Sequence, residues 1–375
     1  MWAIAYILLL SRIKSSWDNT PPFHDTVNTL LGSTPKVSVI VAARNEATDI
    51  AACLQSIVCN DYRNAQGKPL YEIIVIDDHS TDTTAEIVAT IAIANEPHCS
   101  IKIYSLPNGQ TGKKAALTYA VAKASHPILL CTDADCTVSS TWIVDRVRSL
   151  EASEASAQSG LVYMKDDETL LTRFQMMDYL ATMAITNHGY YTQQFQLANG
   201  ANLSYYKAAF EEVRGYEGNE HIASGDDVFL VYKIAKSHRV TFAKNLSSVV
   251  YTQPEQTWSA LWQQRKRWAT KATIANNLHL NTIQIFVFMY CVIILLAILL
   301  GLALYPTLFF AGMMALSIKV GMDYLFLSSL ARDFRSEKIM KSFAKSFIIY
   351  FFHILSSGWF AVVKGKYQWK ERSTK

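Results

Sequence analysis

Between residues 37 and about 150, short β-branched runs alternate with longer stretches of helical periodicity. Four runs predict strands, at Val37–Ala42, Glu72–Asp77, Ile101–Tyr104 and Pro127–Cys131. The stretches between them predict helices, at about 46–58, 82–94 and 112–124. Repeated strand–helix–strand units are typical of a parallel sheet covered by helices on both faces, so the pattern predicts an α/β fold.

The region from 151 to 280 is less regular. Helix-like stretches lie near 169–186, 226–236 and 257–272, and a β-like stretch lies near 240–251. We interpret this region as the second half of the unit that begins at residue 37.

After residue 280 the apolar residues collect into long runs. Residues 282–304 and 307–329 are nearly continuous apolar stretches separated by a Tyr-Pro pair. Each can cross a hydrocarbon core of ~30 Å at ~1.5 Å per residue, so they predict two transmembrane helices joined by a tight turn. Lys319 and Asp323, four residues apart in the second run, predict an ion pair on one helix face.

A third apolar run, 343–363, lies between two basic segments. Residues 331–342 and the tail from 364 are rich in Lys and Arg, and the positive-inside tendency places both in the cytoplasm. Both cannot lie there if the run crosses the bilayer fully. A spanning and an interfacial helix are therefore both kept as interpretations.

The N-terminal residues 1–10 are apolar but shorter than the roughly 20 residues that a transmembrane helix needs. The predicted organisation has five parts: a short N-terminal anchor or stub at 1–14, a linker at 15–36, a catalytic domain at 37–280 with an interfacial helix near 257–272, a transmembrane hairpin at 281–330, and the third apolar segment with its basic tail at 331–375.

Composition excludes several classes of protein. With 50% hydrophobic and 18% charged residues, the chain is too apolar to be disordered. Its net charge of +4 is too small a surplus to indicate nucleic acid as a partner. The six cysteines include no CxxC pair, so neither a zinc site nor a disulfide framework is indicated.

Polar and ionisable residues follow three of the predicted strands. Arg44 and Glu46 follow the first, Asp78 follows the second, and Asp133 and Asp135 follow the fourth. Ligands of open α/β sheets bind beyond the carboxyl ends of the strands, so these residues predict a binding site. Residues i and i+2 of an extended backbone point the same way, which predicts that Asp133 and Asp135 face one divalent cation bridging a diphosphate.

Three further segments are candidates for chemistry. Lys113 opens a predicted helix, and a helix N-terminus with a lysine suits a diphosphate. Asp226 and Asp227 precede an apolar helical stretch, where a carboxylate can remove a proton from an acceptor hydroxyl; helix capping is the structural alternative. The stretch 258–268 interleaves Trp with Arg and Lys, side chains that suit sugar faces, phosphate and the membrane interface.

Taken in order, five segments resemble the inverting, nucleotide-sugar-dependent glycosyltransferases of family two: Val37–Glu46, Ile76–Asp82, Thr132–Asp135, Ser224–Asp227 and Gln264–Trp268. The resemblance covers roughly residues 37–270 and extends to cellulose synthase, chitin synthase and ceramide glucosyltransferase, which share a QxxRW-like element. It implies a GT-A, Rossmann-like, mostly parallel sheet with helices on both faces, followed by C-terminal transmembrane helices.

The resemblance also implies roles for residues that bind the donor. Asp78 would contact the base of a UDP-type donor, and Arg44 and Glu46 would lie in the nucleotide pocket. Asp133 and Asp135 would hold the donor and its Mg²⁺ or Mn²⁺.

The remaining implied roles concern the acceptor and the leaving group. Asp227 would be the catalytic base and Asp226 the acidic residue before it. Gln264 and Trp268 would line the acceptor site, and Arg267 would stabilise the departing diphosphate. Asn202 ends a loop that fits a family loop near the acceptor.

We therefore expect an integral membrane enzyme that transfers a sugar from a nucleotide-diphosphate donor to a lipid-linked acceptor hydroxyl. Its catalytic domain would face the cytoplasm at a bacterial inner membrane. Two alternatives are kept. One is a processive polysaccharide synthase, although cellulose synthases have more transmembrane helices around a polymer channel. The other is a non-catalytic membrane protein that senses nucleotides.

Overall fold

The computed structural model describes the chain apart from residues 22–33, 97, 219–224, 266–276, 363–366, 370–371 and 375. The chain forms two compact units. The α/β unit contains Thr20–Lys165 and Gln196–Gln253. The helical unit contains Met1–Asn19, Asp166–Phe195 and Pro254–Lys375. Each unit is therefore assembled from segments that are not contiguous in sequence.

The α/β unit is built on a seven-stranded sheet of order β3-β2-β1-β4-β7-β5-β8, with β6 and β9 as a separate pair. The strands are β1 Val37–Ala43, β2 Tyr71–Asp77, β3 Ser100–Ser105, β4 Ile128–Asp133, β5 Ala157–Gly160, β6 Val162–Tyr163, β7 Leu203–Tyr206, β8 Val240–Ala243 and β9 Val250–Tyr251.

The four predicted strands and their parallel pairing are confirmed: β1 lies between β2 and β4, and β3 pairs with β2. All residues of β2 are buried, as are six of the seven in β1, which fits their nearly continuous Val, Ile and Ala composition. β7 runs antiparallel to both β4 and β5 and makes the sheet mixed.

Helices of the α/β unit connect these strands. They are α2 Ile50–Val58, α3 Thr84–Asn95, α4 Lys113–Lys123, α5 Trp142–Ala152, α7 Lys207–Glu212 and α8 Asp226–Ile234, with short 3-10 turns at Gly200–Asn202 and Leu246–Ser248. The three helices predicted between the first four strands are confirmed, but α2 begins four residues later than expected, because residues 44–49 form the loop and turn that follow β1.

The helical unit contains α1 Trp2–Asn19, α6 Leu170–Thr192, a helical stretch at 258–265, and three C-terminal helices. These are Leu278–Ala303, Pro306–Asp333 and Phe343–Val362, the last preceded by a 3-10 turn at Glu337–Ser342. A short antiparallel pair, β10 Tyr367–Trp369 and β11 Arg372–Thr374, follows them.

Three helical segments are long and apolar enough to cross a membrane: Leu278–Ala303, Pro306–Asp333 and Glu337–Ser356. The first two confirm the predicted hairpin in length and composition. The third is compatible with either interpretation of the run at 343–363.

The N-terminal helix α1 is longer than the predicted stub at 1–14 and extends into the predicted linker at 15–36. Within the helical unit, Trp2 stacks on Phe286 with ring centroids 5.3 Å apart. Trp17 Nε1 donates a hydrogen bond of 2.8 Å to Asp333 Oδ2. These contacts attach both halves of α1 to the C-terminal helices of the same unit.

The ion pair predicted between Lys319 and Asp323 is confirmed, with 2.8 Å between Lys319 Nζ and Asp323 Oδ2. Tyr6 of α1 completes the group. Its hydroxyl accepts from Lys319 Nζ at 2.9 Å and donates to Asp323 Oδ1. All three side chains are buried inside the helical unit. Their charges and hydroxyl group are paired with one another there.

Candidate active site

The carboxyl ends of β1, β2 and β4 meet at one edge of the sheet in the α/β unit. The register pairs Ala43 of β1 with Asp77 of β2, and Ala42 with Asp133 of β4. The residues that follow these strands are therefore neighbours, although up to about 90 residues separate them in sequence. This edge brings together the polar residues that the sequence pattern selected.

Asp78 follows β2 and is buried at 3% exposure. Its Oδ2 accepts from Gly112 N–H at 3.0 Å, and its carbonyl accepts from Arg44 Nη1 at 2.6 Å. Asp78 Oδ1 lies 3.8 Å from Arg44 Nη1 and has no hydrogen-bond partner among the described residues. This buried acceptor oxygen is the type of group that can receive an N–H of a base or a sugar hydroxyl.

The loops after β1 and β2 are joined by hydrogen bonds. Asn45 and His79 have left-handed backbones with φ of 52° and 56°, which is uncommon outside glycine and concentrates at functional loops. Asn45 Oδ1 accepts from Thr81 N–H at 2.8 Å, and Asn45 N–H donates to Ser80 Oγ at 3.0 Å. Neither residue was predicted as part of the site, although each lies two residues after the end of a strand.

Glu46 lies in the same loop, where its N–H donates to Thr84 Oγ1 at 2.8 Å. Asp82 has a capping role, because its Oδ1 accepts from Thr84 N–H at 3.0 Å. Its Oδ2 accepts from Ala47 N–H at 3.2 Å. The fold thus places Arg44, Glu46 and Asp78 at the ends of adjacent strands.

Asp133, Asp135 and Cys136 form a cluster whose potential ligand atoms lie within 4.8 Å of one another. The two carboxylates converge as expected, but for a different reason than the one predicted. Asp133 ends β4, and residues 134–135 form a turn closed by Cys136 N–H and Asp133 O at 3.1 Å. The turn, and not an extended backbone, brings the two carboxylates together.

The surroundings of Asp135 shift the pKa of its carboxyl group. Burial and the neighbouring Asp133 carboxylate raise the pKa of Asp135 to about 6. Two carboxylates in a half-buried site favour a bound cation, and oxygen ligands suit Mg²⁺ or Mn²⁺. The residues present therefore fit a divalent metal ion. Cys136, whose Sγ lies 3.3 Å from Asp135 Oδ1, was not predicted as part of the cluster.

Lys113, at the start of α4, lies among carboxylates. Its Nζ is 2.5 Å from Asp133 Oδ1 and 3.6 Å from Asp226 Oδ2. Burial alone would lower the pKa of Lys113, but the Asp133 and Asp226 carboxylates outweigh it and raise the pKa well above its usual value. The ammonium group thus links the cluster after β4 to the start of α8.

Asp226 and Asp227 occupy the first turn of α8 and are buried at 7% and 8% exposure. Asp227 Oδ2 accepts from Gly200 N–H at 3.1 Å, which orients the carboxylate. A Cβ atom on Gly200 would lie 3.3 Å from Lys113 Nζ and 3.5 Å from Asp226 Oδ2. The backbone at Gly200 therefore lies directly against the charged cluster.

The expected acceptor role of Asn202 finds no support in its contacts. The side chain is fully buried, and its Nδ2 donates to Leu161 O at 2.8 Å and to Ser248 O at 2.9 Å. Its Oδ1 accepts from Trp142 Nε1 at 3.1 Å. All of its hydrogen-bonding groups are used inside the α/β unit, so the geometry assigns Asn202 a structural role.

The QxxRW-like segment belongs to the helical unit. Gln264 Nε2 donates to Glu255 Oε1 at 2.9 Å, and Arg265 pairs with Asp178 of α6 at 2.5 Å. Arg265 was not selected from the sequence. Arg267 and Trp268 lie outside the described residues, so their predicted roles stay predictions.

Comparison with known proteins identifies the catalytic region. A family model described as "Glycosyl transferase family 2" matches residues 38–213. The chain contains a family-2 glycosyltransferase domain of the GT-A type. The matched residues include β1 to β4 with Asp78, Asp133 and Asp135. The similarity of residues 38–213 to this family favours an enzyme over the alternative of a non-catalytic nucleotide sensor.

The curated relatives are glycosyltransferases as well. "Probable glycosyltransferase YdaM" of Bacillus subtilis is 28% identical over 67% of this chain and 57% of its own length. "Beta-monoglucosyldiacylglycerol synthase" of Nostoc is 27% identical over 64% of this chain and 49% of its own length. "Poly-beta-1,6-N-acetyl-D-glucosamine synthase" of Staphylococcus aureus is 24% identical over 70% of this chain and 60% of its own length. The chain thus spans about half to three-fifths of the length of these relatives.

Among solved structures, a mannosyltransferase from Pyrobaculum calidifontis in complex with GDP-Man and Mn²⁺ has a similar fold. Its TM-score is 0.56 at 18% identity, over 92% of this chain and 93% of that one. At this identity the likeness supports the GT-A fold alone.

Proposed function

We propose that the chain is a metal-dependent, inverting glycosyltransferase that moves a sugar from a nucleotide-diphosphate donor to a hydroxyl of a membrane lipid. The observation that carries the proposal is the charged cluster of Asp133, Asp226 and Asp227 around Lys113. A cluster of this charge at the carboxyl ends of parallel strands suits a cation and a diphosphate.

Donor binding would use the edge formed by β1 and β2. Asp78 Oδ1, which is buried and has no hydrogen-bond partner among the described residues, would accept an N–H of the base or a ribose hydroxyl. Arg44 and Glu46 would line the same pocket. Asp133 and Asp135 would hold Mg²⁺ or Mn²⁺, which when bound supplies positive charge for the diphosphate.

The transfer step would depend on Asp227. Its carboxylate accepts the proton of the acceptor hydroxyl while the hydroxyl oxygen bonds to the anomeric carbon and the bond to the diphosphate breaks. Attack from the face opposite the diphosphate inverts the anomeric configuration. The Gly200 N–H holds Asp227 in place, and Lys113, together with the predicted Arg267, would offset the charge of the leaving diphosphate.

Two observations support a lipid acceptor. Three helical segments are apolar enough to cross a membrane, and one relative is named for the synthesis of a glucosyldiacylglycerol. Another relative is named as a polysaccharide synthase, so the length of the product separates the two functions. The basic segment at 331–342 would lie in the cytoplasm, and the bacterial relatives favour a bacterial inner membrane.

The test uses the full chain in lipid nanodiscs with UDP-glucose, UDP-N-acetylglucosamine or GDP-mannose and bacterial lipids, with and without Mn²⁺. We expect nucleotide release that requires Mn²⁺ and lipid, and a β-linked product from an α-linked donor by NMR. Asp227→Asn should lower the turnover about 10²- to 10⁴-fold, whereas Asp61→Asn, at an exposed position of the same unit, should not. Transfer by Asp227→Asn at the wild-type rate would contradict the assignment of the base.

A further inference from the structure

The helical unit contains a partly open apolar cavity of about 90 Å³. α1, α6 and each of the three C-terminal helices contribute to its wall, through side chains such as Ile13, Met177, Val287, Phe326 and Phe347. Cavities with such linings bind apolar ligands in other proteins, because they stay dry when empty. A cavity of this size accommodates part of one hydrocarbon chain.

One polar group in the wall is unsatisfied. Ser346 is 4% exposed, and its hydroxyl has no hydrogen-bond partner among the described residues. It lies on the same face of the third C-terminal helix as Phe343, Phe347 and Tyr350, all of which line the cavity. A buried hydroxyl without a partner is costly, and more so in a bilayer, where no water replaces the partner. A ligand with an acceptor oxygen would remove that cost.

The charges of the wall determine which lipid fits. Asp178 and Asp323 line the cavity, and each is already neutralised, Asp178 by Arg265 at 2.5 Å and Asp323 by Lys319 at 2.8 Å. Among the described lining residues there is no Lys, Arg or His. A lipid phosphate would therefore meet two carboxylates and no available cation, whereas an uncharged lipid meets no electrostatic penalty.

We propose that this cavity binds an uncharged diacyl lipid, which places part of one acyl chain among the apolar side chains and receives a hydrogen bond from Ser346 Oγ at an ester carbonyl. The proposal rests on the lipid acceptor of the proposed function and names its class, a diacylglycerol rather than a polyprenyl phosphate. Ser346 is then a specificity-determining residue, because the ligand supplies the acceptor oxygen that its buried hydroxyl lacks.

The experiment uses the full chain in nanodiscs with a diacylglycerol that carries a photoreactive diazirine in one acyl chain. We expect labelling of peptides that contain the lining residues, displaced by unlabelled diacylglycerol but not by an equal amount of polyprenyl phosphate. Ser346→Ala should weaken labelling about fivefold, the equivalent of one hydrogen bond of about 1 kcal/mol. Ser356→Ala is the matched control, because Ser356 is exposed on the same helix and bonds to His353 O.

Folding can be separated from binding in this test. Removing an unsatisfied hydroxyl should leave the unfolding temperature of Ser346→Ala unchanged or raised. Ala181→Leu, which adds volume to the α6 wall, is a second variant and should also reduce labelling. Equal labelling of Ser346→Ala and wild type, or displacement by polyprenyl phosphate, would overturn the proposal. Sugar transfer with no labelling of the cavity would overturn it while leaving the proposed function intact.

Discussion

Lys113 is the residue whose position has the clearest consequence for ligand binding. Its ammonium lies 2.5 Å from Asp133 Oδ1 and 3.6 Å from Asp226 Oδ2. A divalent cation held by Asp133 and Asp135 would compete with Lys113 Nζ for Asp133 Oδ1. The two positive charges would also repel each other strongly at such distances. We infer that the charge of Lys113 opposes a cation at this site and attracts the diphosphate of the donor.

The corresponding prediction concerns Lys113→Gln. Without the donor, this variant should bind Mn²⁺ about tenfold more tightly, since losing a nearby like charge is worth roughly 1–2 kcal/mol in a half-exposed site. With the metal present, it should bind the donor more weakly. Titration calorimetry of Mn²⁺ and of the donor measures both effects. Lys123→Gln on the same helix is the control, and an unchanged Mn²⁺ affinity of Lys113→Gln would contradict the inference.

The sequence located individual residues better than it located their partners. Asp133 and Asp135 could be selected because they follow an apolar strand, and Asp78 because it follows another. The link from Lys113 to Asp226 could not be predicted, because it joins the first turns of two helices that are more than 100 residues apart. Local patterns report where a residue lies in an element and not which distant side chain it meets.

At the scale of elements, Asn202 fixes the junction of α5, β7 and the Leu246–Ser248 turn. Asn202→Ala would leave Trp142 Nε1, Leu161 O and Ser248 O without this partner. We expect a loss of about 2–4 kcal/mol in the free energy of unfolding, because several buried polar groups become unsatisfied. Thermal unfolding in detergent measures it. An unchanged unfolding temperature with a raised KM for the acceptor would instead support the acceptor role implied by the resemblance.

Strand β2 carries a buried carboxylate with a structural role, Glu72, which is 4% exposed. Burial alone would raise the pKa of Glu72, but hydrogen bonds from Lys102, Ser125 N–H and Ser38 outweigh it and lower the pKa to about 2 from an ordinary 4.5. Because the folded-state pKa is lowered, the carboxylate stabilises the fold above about pH 4.5 and loses that contribution as the pH falls towards 2.

We therefore predict that Glu72→Gln lowers the unfolding temperature at pH 7 and that its difference from wild type shrinks between pH 5 and about pH 3. Unfolding followed by tryptophan fluorescence across this pH range provides the measurement. Glu86→Gln, at an exposed position of α3, should show no such difference at any pH. A difference for Glu72→Gln that stays constant with pH would show that lost packing, and not lost charge, is responsible.

Whole elements of the parallel half were predictable because β1, β2 and β4 are short apolar runs bounded by polar loops. β7 was not predicted, since its four residues, Leu203–Tyr206, carry no alternation that distinguishes them from a loop. Its place between β4 and β5 depends on pairing with two strands that both precede it by more than 40 residues in sequence. Such pairing depends on the assembled sheet and leaves no local signal in the sequence.

At the scale of the whole molecule, neither compact unit is a single continuous segment of the chain. The prediction had one catalytic domain at 37–280, whereas Asp166–Phe195 belongs to the helical unit together with α1. Helix α6 buries residues such as Phe174 and Leu180, and Ser16 of α1 bonds to its His188 at 2.8 Å. Apolar periodicity predicts that α6 is buried, but it does not show that the partner is the N-terminus.

The contact of Tyr6 with Lys319 and Asp323 joins the N-terminal helix to a C-terminal helix, because Tyr6 and Lys319 are 313 positions apart in sequence. Asp323→Leu would leave the buried Lys319 ammonium without its carboxylate, and breaking such a pair typically costs ~3–5 kcal/mol. The double variant Lys319→Met with Asp323→Leu removes both charges and should recover most of the loss, since apolar replacements of buried pairs are often neutral. Size-exclusion chromatography after heating in detergent measures the folded fraction of each variant. If the double variant were as unstable as Asp323→Leu alone, the hydrogen bonds to Tyr6, and not the pairing of charges, would be what holds α1 in the helical unit.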